Sequence, residues 1–274
     1  MFVRSIGLEF SFILGFGFLF VVLAVWSIFI RSRRSMLRAK RFPKVWVSIL
    51  EKDFRPYRAL SFNQRRILHS QMNVFLGEKA FIGKNGLNVT VRMKVLIAAH
   101  ACLLVLDESK PCYPSLSTIY IYPTSFTERV PHQNRKRIIR LGESWHRGPV
   151  VLAWDSVSNG FKNFRDGKNV TFHEFAHQLD QGEGHADGTP ELRKIGAYQE
   201  WGRVLSRPYL KLRRRAERGK KSVFDHYGAE NEAEFFAVAT ETFFEKPRQL
   251  RRSYPELYEV LRNYYGLDPI IFSD

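Results

Sequence analysis

Two histidines four residues apart, with a glutamate beside the first, stand in TFHEFAHQLD as His173, Glu174 and His177. On a helix, side chains at i and i+4 stack on one face, so both imidazoles can take corners of a tetrahedral Zn2+ site at about 2.0–2.1 Å. Glu174 projects about 100° from the first histidine. There it can flank a metal without binding it, accept the proton of a metal-bound water and pass it to a leaving amine. Two plainer assignments compete. One is a helix with polar decoration; the other is a capping box in which Glu174 turns back to the Thr171 amide. Phe175, Ala176 and Leu179 describe a packed helix, and imidazoles with little solvent need partners, which a metal supplies.

A catalytic zinc site takes three protein ligands and keeps one position open. The candidates for the third are His185, Asp180, His226 and the glutamates of AENEAEFFAVATETFFEK. Glu234 and Glu241 share a face over two turns, and Glu230 and Glu234 are one turn apart, so spacing leaves the choice open. Tyr227 precedes Glu234 by two turns. Over a metal its hydroxyl could donate to a tetrahedral oxyanion; elsewhere it is a packing tyrosine.

The elements that must position these groups are readable in outline. TFHEFAHQLD and ENEAEFFAVATETFF have helical patterning, the second stopped by Pro247. VTVRMKVLIAAHACLLVLD suits a central buried helix, although its β-branched start also fits a strand. STIYIYP is a strand ended by Pro123, and GPVVLAWDSV is a second, which could lie along a cleft and pair with an extended peptide. Strands first and site helices later predict an α+β domain.

The formal net charge of +16 raises nucleic acid as a partner, but its distribution argues against it. One basic block is RSRRSMLRAKR; the other, Arg207–Lys221, contains Glu217 as its single acid. Neither resembles a recognition helix or a zinc finger, and no nucleic acid is expected. Cys102 and Cys112 are the only cysteines, too few for a disulfide framework. Phe10–Ile30 carries no formal charge and is followed at once by the first basic block. That order predicts a single-pass transmembrane helix with a lipid bilayer as partner, at the inner (cytoplasmic) membrane with the remaining chain facing the cytoplasm. The expected organisation is an anchor over 1–30, a basic lead-in over 31–65 and a metallopeptidase domain over 66–274.

In GLNVTVRMKVLIAAHACLLVL, IYIYPTSF, GPVVLAWDSV, TFHEFAHQLDQGEGHADGTP and YGAENEAEFFAVATETFF, in that order, the chain resembles the Mlc titration factor A family of zinc-dependent peptidases. The resemblance implies a zincin-like α+β fold, similar also to the anthrax lethal factor catalytic domain. It implies Zn2+ held by His173, His177 and Glu234, with Glu174 as general base, Tyr227 as the catalytic tyrosine and Glu241 as an acceptor for a ligand imidazole. The activity implied is aminopeptidase-like cleavage of a peptide or protein substrate. A founding member binds a glucose-responsive transcriptional repressor, so the alternative is a zinc-containing regulatory module that sequesters a protein partner with little turnover. This sequence departs from the resembling family in its apolar N-terminal run, in its basic segment Arg207–Lys221 and in His100, where glutamine is usual.

Overall fold

The computed structural model describes residues 3–107, 112–128, 138–140, 142–144, 148–181, 187–192 and 195–272. The chain divides into two compact units, Met1–Arg41 and Phe42–Asp274. In the first, α1 (Val3–Ala39) is a continuous helix.

The expected membrane span is corrected. Among the described residues no helix is long and apolar enough to cross a membrane. Of Phe10–Ile30, positions 10–17 have side chains outside the described residues. Arg31, Arg33 and Arg34 follow immediately. With the span go the bilayer as partner and the single-pass, inner-membrane location inferred from it.

In the second unit, α2 (Lys44–Asp53), α3 (Arg55–Ala59) and α4 (Phe62–Glu78) lead into the sheet. Helix α4 starts on a capping box, with Ser61 accepting from the Gln64 amide and Gln64 Oε1 accepting from the Ser61 amide. Next come β1 (Ala80–Gly83) and α5 (Val91–Leu103), the latter capped by Thr90. The β-branched start of α5 yields to this cap, and every residue from Val95 to Val105 is buried, His100 among them. Strands β2 (Thr118–Tyr122), β3 (Phe126–Glu128), β4 (Ile138–Arg140), β5 (Gly142–Ser144) and β6 (Val150–Ala153) follow.

The main sheet has the order β1-β2-β6-β5; β3 and β4 pair separately. Strands β1, β2 and β6 run parallel, and β5 is antiparallel to β6. Because β6 is paired on both sides and buried throughout, its backbone cannot receive a peptide by strand addition, and the cleft-lining role expected for GPVVLAWDSV is corrected. Only its first half is a strand: Trp154 opens α6 (Trp154–Lys162).

The site helices complete the unit: α7 (Val170–Asp180), α8 (Ile195–Glu217), α9 (Glu232–Glu245), α10 (Pro247–Ser253) and α11 (Pro255–Tyr265). Helix α9 is buried nearly all round, from Phe235 to Glu245. A helix with no solvent face is held by packing, and here α7 lies against it. The stacked pair Phe172–Phe244, with centroids 4.7 Å apart, marks that contact.

Candidate metal centre

Helix α7 begins earlier than a capping box at Thr171 would place it. Its N-cap is Asn169, whose Oδ1 accepts from the Phe172 amide at 3.2 Å. Thr171 is therefore inside the helix and fully buried, and Glu174 is not the partner of the cap. Asn169 is itself held from α9. Its backbone amide donates to Glu241 Oε2 and its Nδ2 to Glu245 Oε1 at 3.0 Å. Glu245 Oε2 also accepts from the amides of Gly167 at 2.8 Å and Lys168 at 3.0 Å. Gly167 has φ +74°, and a Cβ there would press on the Lys246 side chain at 3.0 Å, so this turn requires glycine.

The clamp sets the position of His173. With its Nδ1 hydrogen donated to Glu241 Oε1 at 2.8 Å, its Nε2 keeps a lone pair for a metal. Nε2 lies 3.0 Å from Glu234 Oε2 and 3.2 Å from His177 Nε2, and His177 Nε2 lies 3.4 Å from Glu234 Oε2. Tetrahedral coordination at about 2.0–2.1 Å sets neighbouring donors roughly 3.3–3.4 Å apart. The three atoms thus outline one face of such a tetrahedron, and the cluster can hold a divalent metal ion.

Electrostatics favour a cation there. Burial works against a charged Glu234, but the hydrogen bonds and charges of His173 and His177 outweigh it and hold its carboxyl down at about 2. Burial likewise opposes a charged His173, and Glu234 and Glu241 overcome it, raising the imidazole well above its ordinary value. A site that binds a proton this firmly between carboxylates is also suited to a metal cation.

Tyr227 sits in the 3-10 turn His226–Ala229, where Asp225 caps its amide at 3.0 Å. Its ring centroid is 5.7 Å from that of His173, and 48 % of the residue is exposed. Burial of the hydroxyl and then the charge of Glu234 raise its pKa. Glu174 is buried beside His173, with 4 % exposure.

The other candidates are placed elsewhere. His226 Nε2 faces the Lys220 carbonyl at 3.0 Å, and Asp180 Oδ2 accepts from the Gly188 amide at 2.9 Å. Glu230 closes the tyrosine turn and is not in the donor cluster, while His185 lies outside the described residues. The clamp of Asn169 by Glu245 was not anticipated. Its signal was present in the one-turn spacing of Glu241 and Glu245. Beyond α7, Gly188 has φ +82°, and a Cβ on it would come within 2.5 Å of the Glu232 carbonyl oxygen, at the start of the helix that carries Glu234.

Comparison with known proteins agrees with this arrangement. The family model described as glucose-regulated metallo-peptidase M90 matches residues 29–266. An uncharacterized protein of Synechocystis sp. is 40% identical over 246 residues, covering 87% of this chain and 90% of its own. Mlc titration factor A of Serratia proteamaculans is 31% identical over 206 residues, 71% of this chain and 77% of its own. The protein of that name from Klebsiella pneumoniae is 29% identical over 222 residues, 77% of this chain and 82% of its own.

These comparisons correct the expectation of a zinc-dependent, aminopeptidase-like enzyme acting on a peptide or protein substrate. The family's description contains the word peptidase, but the relatives with a functional name are called titration factors of Mlc, which states a titration and not a hydrolysis.

Proposed function

We infer function from one premise: the chain belongs to the glucose-regulated metallo-peptidase M90 family. We propose that it is a zinc-containing regulatory module that sequesters a protein partner with little turnover. One observation carries this reading. A triad able to hold a divalent ion occurs in a chain whose named relatives are factors for titrating Mlc. Two imidazole nitrogens and one carboxylate oxygen are a donor set apt for zinc, and poor for calcium or magnesium, which take oxygen ligands. His173, His177 and Glu234 would hold the ion, and zinc would supply a Lewis-acidic link between α7 and α9.

The remaining site residues then have supporting roles. Glu241 orients His173 through Nδ1. Glu174 adds negative potential beside that imidazole. Tyr227, half-exposed at the rim, is the aromatic contact for the partner, since such residues dominate binding energy at protein interfaces.

Mlc is the probe for the test. Calorimetric titration of Mlc into the zinc-loaded chain is expected to give a saturable complex of fixed stoichiometry. Tyr227→Ala should weaken it by about 2 kcal/mol, roughly thirtyfold. Internally quenched peptides should show no hydrolysis that disappears with Glu174→Gln. The proposal fails if Mlc gives no complex, or if the chain turns over peptides repeatedly in a Glu174-dependent way.

A further inference from the structure

Helix α8 changes character along its length. In its first half the exposed cation has an ordinary counter-ion: Arg203 Nη1 lies 3.2 Å from Glu256 Oε2. From Arg207 to Lys221 the only acid is Glu217. Arg207, Lys211, Arg214 and Arg218 recur there at i, i+4, i+7 and i+11, so they line one exposed flank about 16 Å long. Arg218, one residue past the helix, stays in line because its amide donates to the Arg215 carbonyl at 3.2 Å. Among the described residues none of the four has a carboxylate partner. Two are oriented by other contacts. Arg214 Nε donates to the Leu210 carbonyl at 3.2 Å, and the Lys211 ammonium lies 5.2 Å from the Tyr254 ring centroid.

We propose that this flank docks a partner protein through an acidic amphipathic helix of that partner. Charge complementarity is the first argument. Arg207 with Lys211, and Arg214 with Arg218, are like-charged pairs one turn apart, which weaken the helix that carries them; carboxylates laid along the flank remove that repulsion. Leu210 is the second. It stands one turn from both Arg207 and Arg214 and is 50 % exposed, an apolar side chain beside the charged row. An apolar contact bordered by charge is how helices pair side by side.

Spacing decides the partner's conformation. The four cations stand at about 0, 6, 10.5 and 16.5 Å along the axis. A second helix reproduces that series throughout, whereas same-side residues of an extended strand recur every 6.6–6.8 Å or about that, and fall out of step by the third cation. Nucleic acid fits this face poorly. Its phosphates would meet Glu217, which lies on the Leu210 side, with repulsion and would leave Leu210 without an apolar contact. The flank is separate from the donor cluster, so its test needs no Mlc.

Fluorescence anisotropy on the full, zinc-loaded chain provides that test. The probe is a labelled helical peptide of about 22 residues, with glutamates at i, i+4, i+7 and i+11 and leucines beside them. A peptide of the same composition in scrambled order and a DNA duplex are run in parallel. The patterned peptide is expected to bind saturably, at least about tenfold tighter than the scrambled one. Arg207→Ala with Arg218→Ala should weaken it about tenfold, and Leu210→Ser about fivefold, with wild-type zinc content in each variant. Lys162→Ala with Arg165→Ala removes two exposed cations elsewhere and should change the affinity by no more than about twofold. Equal binding of the scrambled peptide, or equal weakening by the two pairs, would reduce the effect to net charge and overturn the surface. Duplex DNA binding more tightly than the patterned peptide, and indifferent to Leu210→Ser, would make the partner a nucleic acid and overturn the proposal, as would the absence of saturable peptide binding.

Discussion

Glu241→Gln isolates what the carboxylate behind His173 contributes to metal binding. The carboxylate is 7 % exposed and spans two donors, the His173 Nδ1–H at 2.8 Å and the Asn169 amide. Glutamine preserves the volume and one acceptor oxygen, so the Asn169 bond can survive. The charge that favours the Nδ1–H tautomer is removed. A hydrogen bond to a charged group contributes about 1.5–3 kcal/mol, which is roughly ten- to 150-fold in affinity. That range overlaps the roughly 10–100-fold usual for partners of metal-bound histidines. Competition for zinc against a chromophoric chelator measures it directly. Glu245→Gln is the comparison: it weakens the clamp on Gly167, Lys168 and Asn169 but leaves the Glu241–His173 hydrogen bond in place, so stability should fall while zinc affinity falls less than in Glu241→Gln. Wild-type zinc affinity in folded Glu241→Gln would refute the argument that His173 is poised through Nδ1.

Two further outcomes follow from the far end of α7. Burial pushes Asp180 up to about 7, above the ordinary 3.8, so the folded state holds its proton more tightly than the unfolded chain. This contribution to stability is fully present below about pH 4 and is lost as pH rises through about 7; at 1.36 kcal/mol per unit it amounts to at most about 4 kcal/mol. Urea unfolding of Asp180→Asn against wild type should show the variant gaining relative stability between about pH 5 and pH 8, and parallel curves would contradict it. Gly188→Ala forces a side chain into a left-handed backbone and toward the Glu232 carbonyl oxygen 2.5 Å away, and should lower stability by about 1–3 kcal/mol. Because Glu232 begins α9, zinc affinity should fall with it; unchanged affinity and stability would mean that the loop yields without strain.

The sequence was most informative where one element carried the pattern. The helical spacing of His173 and His177, with Phe175 and Ala176 between them, foretold a packed helix with both imidazoles on one face. Spacing could not choose among Glu230, Glu234 and Glu241, because that choice depends on how α9 crosses α7, a tertiary fact. Of the two good caps near the start of α7, Thr171 and Asn169, the Glu241 and Glu245 carboxylates decide for Asn169 from another helix, which spacing along the chain could not show. In GPVVLAWDSV the alternation was weak because β6 is interior and buried on both faces, so periodicity gave no sign of the turn into α6.

The segment joining α6 to α7 is suspended from α9 largely by main-chain amides, those of Gly167, Lys168 and Asn169. Apart from proline, every amino acid brings such an amide, so these bonds do not depend on side-chain identity; Gly167, the cap Asn169, the buried Phe164 and Asp166, which accepts from the Lys168 amide, are the positions of the connector where the side chain matters. An outward group such as Arg165 can therefore be exchanged without shifting the imidazole that follows. The architecture thus separates an interior fixed by geometry from an exterior open to adaptation, and what the outer face attracts can diverge while the donor cluster keeps its dimensions.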